Sequence, residues 1–294
     1  MDGILVIHKE KGFTSHDVVA KLRGILHMKK IGHTGTLDPD AEGVLPVALG
    51  KGTRLVEFLT EKQKTYEAVL RLGIETDTQD MSGQVLKEQE VCVFQEEIVE
   101  VTESFLGEQQ QIPPMYSALK VNGKKLYELA REGKEVERKP RPVVFYEIKI
   151  LEIDLPRVRF SVTCSKGTYI RTLCHDIGQK LGCGGCMETL MRTRSGEYTL
   201  EESHFLHEVQ EMALEGRAEE LVIGIEEILK EYPAVMCQET GDRLLQNGNP
   251  VPIGCTKGKA VPGQVRIYTS EGIFMALYRW NEGRKAYQPV KMFI

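Results

Sequence analysis

The strongest local constraints in this sequence lie in Gly32-His33-Thr34-Gly35-Thr36-Leu37-Asp38-Pro39-Asp40-Ala41-Glu42-Gly43-Val44-Leu45-Pro46. This stretch holds three glycines, two prolines, one histidine and three acidic residues. Glycine reaches backbone angles that other residues avoid, whereas proline fixes φ and lacks a backbone donor. The composition therefore predicts a rigid loop that presents one side chain. Because Pro39 restricts the residue before it, Asp38 is the candidate.

Three kinds of site fit part of this stretch. Residues 38–43 place acidic side chains at the first, third and fifth positions and glycine at the sixth, as calcium loops do. The twelfth position, however, is Leu49 and not a bidentate carboxylate. A phosphate-binding loop needs Gly-Lys-Ser/Thr, and residues 50–53 break that spacing. A single catalytic carboxylate on a stiff loop remains, and from this stretch alone an ordinary turn fits equally well.

The composition is that of a globular chain. With 294 residues, 41% hydrophobic and 28% charged, the chain can form one large domain and a small one. No apolar run approaches the length of a membrane span, and residues 1–8 predict a strand and not a signal peptide. Seven cysteines, an odd number, indicate reduced thiols. We therefore expect a cytoplasmic protein with no membrane partner.

The charge is unevenly distributed along the chain. The net charge of −5 arises from residues 201–231, which carry ten glutamates against Arg217 and Lys230 and therefore contribute −8. Residues 9–30 and residues 120–141 are basic, each with a net charge of +4. Such clusters can bind the phosphates of a nucleic acid. Charge alone fits ordinary solvated surfaces equally well.

Hydrophobic periodicity predicts a mixture of strands and helices. Ser15 is predicted to cap a helix, and residues 64–73 alternate polar and apolar side chains as a half-buried strand does. Further strands are predicted over residues 4–8, 141–150, 158–164 and 189–196, and further helices over 94–106, 126–131 and 169–181. Without regular βαβ alternation, the pattern predicts an α+β fold with a mixed, largely antiparallel sheet and flanking helices. From about residue 233, glycine- and proline-punctuated strands predict a small β-rich domain.

Five stretches, taken in chain order, resemble the motifs of the TruB family, bacterial synthases that make pseudouridine at position 55 of tRNA. They are Lys9-Glu10-Lys11-Gly12-Phe13-Thr14-Ser15, residues 32–46, Lys64-Thr65-Tyr66, Ser165-Lys166-Gly167-Thr168-Tyr169-Ile170-Arg171, and Leu190-Met191-Arg192-Thr193-Arg194-Ser195-Gly196. Glu10 departs from the proline that is usual in the first motif, which puts the rigidity of that turn in question. The resemblance covers residues 4–196, and the joint order of the motifs is more specific than any one of them.

The resemblance implies roles for individual residues. Asp38 is implied as the catalytic carboxylate, and Tyr66 is implied to stack on the base and move a proton. Arg171 is implied to orient Asp38, and we expect its charge to hold the pKa of Asp38 down and keep the carboxylate ionised. For the substrate, the resemblance and the basic stretches point to these residues: Leu190 as part of the base pocket, His33 in the space left by a flipped base, and Lys9 and Lys120 on the tRNA backbone.

The resemblance also implies a reaction and a domain plan. Uridine 55 in the T loop of tRNA would be flipped out, its glycosidic bond cleaved with the help of the aspartate, and the base rejoined through carbon. Residues 1–232 would form the catalytic domain, with a bacterial-type insertion around 105–142, and residues 233–294 a small PUA-like RNA-binding domain. We expect a monomer that binds the T-arm stem-loop without a guide RNA.

No metal or cofactor is expected. The isomerisation involves no redox change, and the lone Cys183-Gly184-Gly185-Cys186 lacks a second pair at zinc spacing. Two other functions remain open at this point. One is an RNA-binding or RNA-folding protein without catalysis, and the other is a synthase that depends on a guide RNA and protein partners.

Overall fold

A computed structural model describes residues 1–121 and 123–294, and Asn122, which falls inside the predicted insertion, lies outside the described residues. The α-helices are α1 (Ser15–Ile25), α2 (Val56–Thr60), α3 (Gln95–Glu103), α4 (Leu126–Arg131), α5 (Ile170–Lys180), α6 (Leu206–Leu214), α7 (Ile225–Ile228) and α8 (Glu239–Gln246). Short 3₁₀ helices cover Gly50–Leu55, Ala218–Leu221, Ile253–Cys255 and Glu282–Arg284. No helix in the described ranges is both long and apolar enough to cross a membrane.

The strands up to the end of the acidic segment are β1 (Gly3–Lys9), β2 (Ile31–His33), β3 (Glu42–Leu49), β4 (Lys64–Leu72), β5 (Ile74–Thr76), β6 (Val85–Glu88), β7 (Gly107–Gln111), β8 (Lys120–Val121), β9 (Lys124–Lys125), β10 (Arg141–Asp154), β11 (Arg157–Cys164), β12 (Gly185–Ser195), β13 (Tyr198–Thr199) and β14 (Val222–Gly224). The large sheet has the order β14-β1-β3-β12-β4-β11-β10-β7, with β2 on β3 and β13 on β12. β12 and β3 pair in parallel, whereas the other pairs along this order are antiparallel. The predicted mixed, largely antiparallel sheet is confirmed.

The central strand β4 shows why this sheet forms. Its burial alternates strictly along Lys64–Leu72, as the polar–apolar pattern predicts, because successive side chains point to opposite faces. The buried face carries Tyr66, Ala68 and Leu70, which join a core with α5. A second core lies between β1, β3, α1 and α6. The junction of these two cores is where β3 pairs with β12, next to the loop that precedes β3.

The start of α1 differs from the prediction. Thr14, not Ser15, is the N-cap residue, and it forms a reciprocal capping box with Asp17. The Ser15 hydroxyl is buried and accepts a hydrogen bond from the backbone N–H of Leu37 at 2.9 Å. A serine beside a cap position can cap the helix or bind a more distant backbone group. Here Ser15 does the second and ties α1 to the loop at residues 34–41.

Beyond residue 233 the chain forms a second sheet. Its strands are β15 (Ala234–Met236), β16 (Val251–Pro252), β17 (Gln264–Tyr268), β18 (Phe274–Asn281) and β19 (Ala286–Met292), in the order β15-β17-β18-β19-β16. Val265, Ile267 and Tyr287 are fully buried in a core of its own. Arg54 donates to the carbonyl of Met292 at 2.5 Å, which ties this sheet to the 3₁₀ helix that follows β3. The predicted β-rich C-terminal region is confirmed.

Candidate active site

The loop that carries Asp38 connects β2 and β3 and is held by the segment before α1. The backbone N–H of Ala41 donates to the carbonyl of Asp38 at 3.1 Å and closes a tight turn. The N–H of Gly12 donates to the carbonyl of Pro39 at 2.9 Å, and Ser15 holds Leu37. The side chain of Asp38 remains 38% exposed. The loop is therefore rigid while its carboxylate stays accessible, as the glycine and proline content predicts.

Lys9 lies underneath this loop and not on the surface. Its side chain is fully buried, and its ammonium donates to the carbonyls of Glu10, Pro39 and Ala41 at 3.1, 3.1 and 2.5 Å. Burial lowers the pKa of Lys9 to about 8, although the negative charge of Asp38 opposes this shift. The predicted contact between Lys9 and the tRNA backbone does not agree with this position. Lys9 instead holds two carbonyl oxygens of the Asp38 turn, those of Pro39 and Ala41.

The buried ammonium of Lys9 leads to a prediction about stability and pH. The unfolded lysine keeps a pKa near 10.5, so between pH 8 and 10.5 the unfolded chain binds more protons than the folded one, and stability rises with pH. Lys9→Met removes this contribution. In urea denaturation we expect the unfolding free energy of the parent protein, relative to that of Lys9→Met, to increase with pH in this window by up to about 1.4 kcal/mol per pH unit. Lys11→Met, at an exposed position, is the control, and parallel curves for the parent and Lys9→Met would contradict the prediction.

Arg171 binds the carboxylate of Asp38 with two nitrogens. Its Nε lies 2.9 Å from Oδ2 and its Nη2 lies 3.3 Å from Oδ1. The guanidinium is itself 5% exposed and donates to the carbonyls of Thr78 and Tyr116 at 3.1 and 3.0 Å. Asp80 lies 3.5 Å away on the other side. A planar guanidinium with this many fixed acceptors can hold only one orientation, so it fixes the carboxylate in turn.

The pKa of Asp38 shifts in the direction opposite to the one expected from its partner. Although part of the carboxylate reaches solvent, the surrounding protein removes most of its hydration. This desolvation raises the pKa of Asp38 and outweighs the lowering by Arg171, while the charge of Asp80 adds to the increase. The sequence suggests the guanidinium but not the desolvation around the carboxylate. Arg171 therefore limits an upward shift instead of producing a downward one.

Tyr66 and Leu190 lie in the same core on the neighbouring strands β4 and β12. In the register of β4 and β12, Tyr66 pairs with Arg192 and Ala68 pairs with Leu190. Tyr66 and Leu190 are both 8% exposed and pack in one core with Leu37, the residue before Asp38. Burial raises the pKa of the Tyr66 phenol, and the charge of Arg192 opposes this. The structure thus brings three predicted residues, Asp38, Tyr66 and Arg171, to one place with Leu190.

His33 and Lys120 occupy positions of different kinds. His33 ends β2, its ring meets that of His16 edge-on at 5.5 Å, and its buried Nδ1 has no hydrogen-bond partner within the part of the chain that the structure describes. Burial lowers the pKa of His33, and the neighbouring His16 and Arg192 add to this. Lys120 is exposed on β8, which pairs with β9 in the predicted insertion. An uncharged ring suits a base, and an exposed lysine suits a phosphate.

Two residues of the site, Arg192 and Asp80, have no role in the sequence-based prediction. Arg192 is 1% exposed, and its Nε donates to the carbonyl of Val44 at 2.7 Å, which joins β12 to β3. The backbone of Arg192 comes close to Gly43, where a Cβ would lie 2.2 Å from the carbonyl oxygen of Arg192. Glycine has no Cβ and also tolerates the φ of +103° found there. Asp80 lies in the loop between β5 and β6, where the sequence shows only turn-forming residues. Arg192 lies in the motif at residues 190–196, and this position is the sequence feature that could have pointed to it.

The described residues contain no group of three or more His, Cys, Asp or Glu side chains placed to hold a metal ion. Cys183 and Cys186 are buried free thiols. Burial raises the pKa of Cys186 to about 11, so it stays protonated near neutral pH. The functional groups of the site are the carboxylate of Asp38, the guanidinium of Arg171 and the phenol of Tyr66. Together they can supply nucleophilic, electrostatic and proton-transfer chemistry.

Comparison with known proteins covers nearly the whole chain. A family model described as TruB family pseudouridylate synthase (N-terminal domain) matches residues 23–170, and one described as tRNA pseudouridylate synthase B C-terminal domain matches residues 171–230. A protein named tRNA pseudouridine synthase B from Lachnoclostridium phytofermentans is 49% identical, with 100% of both chains covered. One of the same name from Alkaliphilus oremlandii is also 49% identical, over 85% of this chain and 83% of the relative.

A solved structure also resembles this chain over nearly all of its residues. A chain in the crystal structure of a Cbf5-Nop10-Gar1 complex is 29% identical, with a TM-score of 0.73, and the match covers 99% of this chain and 85% of that one. The predicted family and the predicted class of isomerase are confirmed by these matches. The chain belongs to the TruB family of pseudouridylate synthases.

Proposed function

We propose that this protein converts uridine 55 in the T loop of tRNA to pseudouridine. The single observation that supports this most is the two-point ion pair of Asp38 and Arg171, set beside Tyr66 and Leu190. The order of the motifs and the names of the relatives, tRNA pseudouridine synthase B, point to a tRNA substrate. A rigid, partly exposed carboxylate next to apolar and aromatic side chains is what a flipped uridine requires.

The reaction breaks the N1–C1′ bond of uridine and forms a C5–C1′ bond, while C5 loses a proton and N1 gains one. Atoms and electrons balance without a redox partner. The ionised Asp38 either attacks the sugar or the base or stabilises positive character at C1′, and each of these routes needs the carboxylate in its charged form. Arg171 favours that form, because it opposes the rise in the pKa of Asp38, and it holds the carboxylate in one orientation. Tyr66 stacks on the flipped base, and its phenol takes part in the proton transfer.

Substrate binding is assigned to surfaces around Asp38. His33 fills the space that the flipped base leaves, and Lys120 contacts the tRNA backbone together with other exposed basic residues of the insertion at 105–142. Residues 1–232 form the catalytic domain in this proposal, and residues 233–294 form a PUA-like RNA-binding domain. The protein acts in the cytoplasm as a monomer without a guide RNA, and the free thiols of its cysteines suit a reducing compartment.

The test uses the purified protein alone. An unmodified T-arm stem-loop is incubated with the protein in the presence of a chelator, and pseudouridine is located by chemical labelling and primer extension. A second transcript carries cytidine at position 55. We expect conversion of one uridine, at position 55, in the first transcript and none in the second.

Three other outcomes would each contradict part of the proposal. Conversion of a different uridine would refute the site. Conversion that stops with the chelator would show a need for metal. No conversion, with tight and salt-sensitive binding, would favour an RNA-binding protein or a synthase that requires partners, and the likeness to a chain from a Cbf5-Nop10-Gar1 complex makes that second candidate specific.

A further inference from the structure

The first turn of α5, which carries Arg171, begins without the usual side-chain cap. Its N-cap residue is Tyr169, and that side chain caps no backbone N–H group. Instead, the backbone of Tyr169 is bound by the amide of Gln111. The N–H of Tyr169 donates to Oε1 of Gln111 at 2.8 Å, and Nε2 of Gln111 donates to the carbonyl of Tyr169 at 2.9 Å. Gln111 therefore makes the two hydrogen bonds that a neighbouring strand would make with Tyr169, the residue immediately before α5.

The chemistry of this contact requires a primary amide. The side chain of Gln111 is 4% exposed, and one face must offer an acceptor and a donor at the same time. A glutamate would offer acceptors only, so its second oxygen would face the carbonyl of Tyr169. A methionine has a similar length but neither group, and it would leave the N–H of Tyr169 buried without a partner.

The chain that follows Gln111 returns to the same helix. Gln111 ends β7, and five residues later the carbonyl of Tyr116 accepts a hydrogen bond from Nη2 of Arg171 at 3.0 Å. Arg171 lies two residues after Tyr169. One short segment therefore holds the backbone before Arg171 through Gln111 and the guanidinium of Arg171 through Tyr116.

We propose that Gln111 is a positioning residue that fixes the start of α5 so that Arg171 meets Asp38 with two nitrogens. This inference rests on the proposed function, because it assigns Gln111 an effect on the same reaction. The distances from Arg171 to Asp38, 2.9 and 3.3 Å, tolerate little movement of the helix start. A misplacement of about 1 Å at a positioning group can cost about 100-fold in rate.

The test compares Gln111→Met with Gln110→Met, which changes the exposed neighbour on the same strand. The first measurement is the single-turnover rate constant for pseudouridine formation in the T-arm stem-loop. The second is the Kd for the stem-loop with cytidine at the target position, which cannot react. We expect Gln111→Met to lower the rate constant about 30- to 100-fold and to change the Kd less than about threefold. Gln110→Met is expected to leave both values unchanged.

A double variant distinguishes positioning from general damage. If Gln111 acts through Arg171, then Gln111→Met should cause little further loss of rate in an Arg171→Lys protein, because the two-point contact is already broken there. Equal losses in both backgrounds would overturn the inference, as would an unchanged rate for Gln111→Met. A loss confined to the Kd would overturn it as well. If Gln111→Met does not fold, judged by circular dichroism, Gln111→Glu takes its place with the same expected outcomes.

The outcome for the parent protein separates the two proposals. A parent protein that does not convert the stem-loop refutes the proposed function and removes this inference with it. A parent protein that converts it, together with a fully active Gln111→Met protein, overturns only the role of Gln111.

Discussion

Asp38→Asn is expected to reduce pseudouridine formation by about 10³-fold or more while the protein still binds the T-arm stem-loop. Asparagine has nearly the shape of aspartate, so the turn held by Lys9, Gly12 and Ser15 should persist. What is lost is the negative charge, to which the proposed mechanism assigns nucleophilic attack or the stabilisation of positive character at C1′. The measurement is a single-turnover assay at saturating protein, paired with a filter-binding Kd.

Asp40→Asn is the matched control for this variant. Asp40 lies in the same loop and is exposed, and we expect its replacement to leave the rate within about twofold, as surface substitutions usually do. Full turnover by Asp38→Asn would refute the assignment of the catalytic carboxylate. An equal loss in Asp40→Asn would show that the loop as a whole, and not the one side chain, is sensitive to a change of charge.

Arg171→Lys is expected to lower the single-turnover rate about 100-fold, although the positive charge is retained. Lysine is a point charge and cannot contact both oxygens of Asp38 and the carbonyls of Thr78 and Tyr116 from one plane. The carboxylate would then lose its fixed orientation. Arg157→Lys is the control, because Arg157 is exposed and pairs with Glu188 and not with Asp38.

The same variant should change the pH dependence of the rate in a defined direction. Burial already raises the pKa of Asp38, and Arg171 opposes that increase. A weaker contact therefore raises the pKa of Asp38 further. The acidic limb of the rate–pH profile of Arg171→Lys should then lie at a higher pH than that of the parent protein. A rate–pH profile for the parent, Arg171→Lys and Arg157→Lys measures this. An acidic limb that stays in place or moves to lower pH would contradict the electrostatic role of Arg171.

The local features of the fold could be predicted because they depend on neighbouring residues. The alternation along Lys64–Leu72 reveals a half-buried strand, and the glycines and prolines around Asp38 reveal a rigid loop. Strand bounds were less accurate. β12 begins at Gly185, earlier than predicted, because its first residues pair with the end of β4, and that pairing joins segments more than a hundred residues apart.

The misplaced residues share one cause. Lysine is usually exposed, so Lys9 was placed on the surface, yet the carbonyls of Pro39 and Ala41, thirty residues away, provide acceptors for it inside the protein. Ser15 has the right chemistry for a cap, but Thr14 takes that place and Ser15 binds Leu37. Each outcome depends on which distant backbone groups need a partner, and composition does not carry that information.

The sequence by itself determined the fold class and the family, and it predicted Asp38 as the central side chain of the candidate site, because these follow from periodicity and from the order of short motifs. Only the tertiary structure decided the surroundings of Asp38 and Arg171: Lys9 beneath the turn, Gln111 at the start of α5, and Asp80 beside Arg171. The physical reason is that hydrogen bonds and desolvation depend on distance in space. The residues that set them here are separated by tens of positions along the chain.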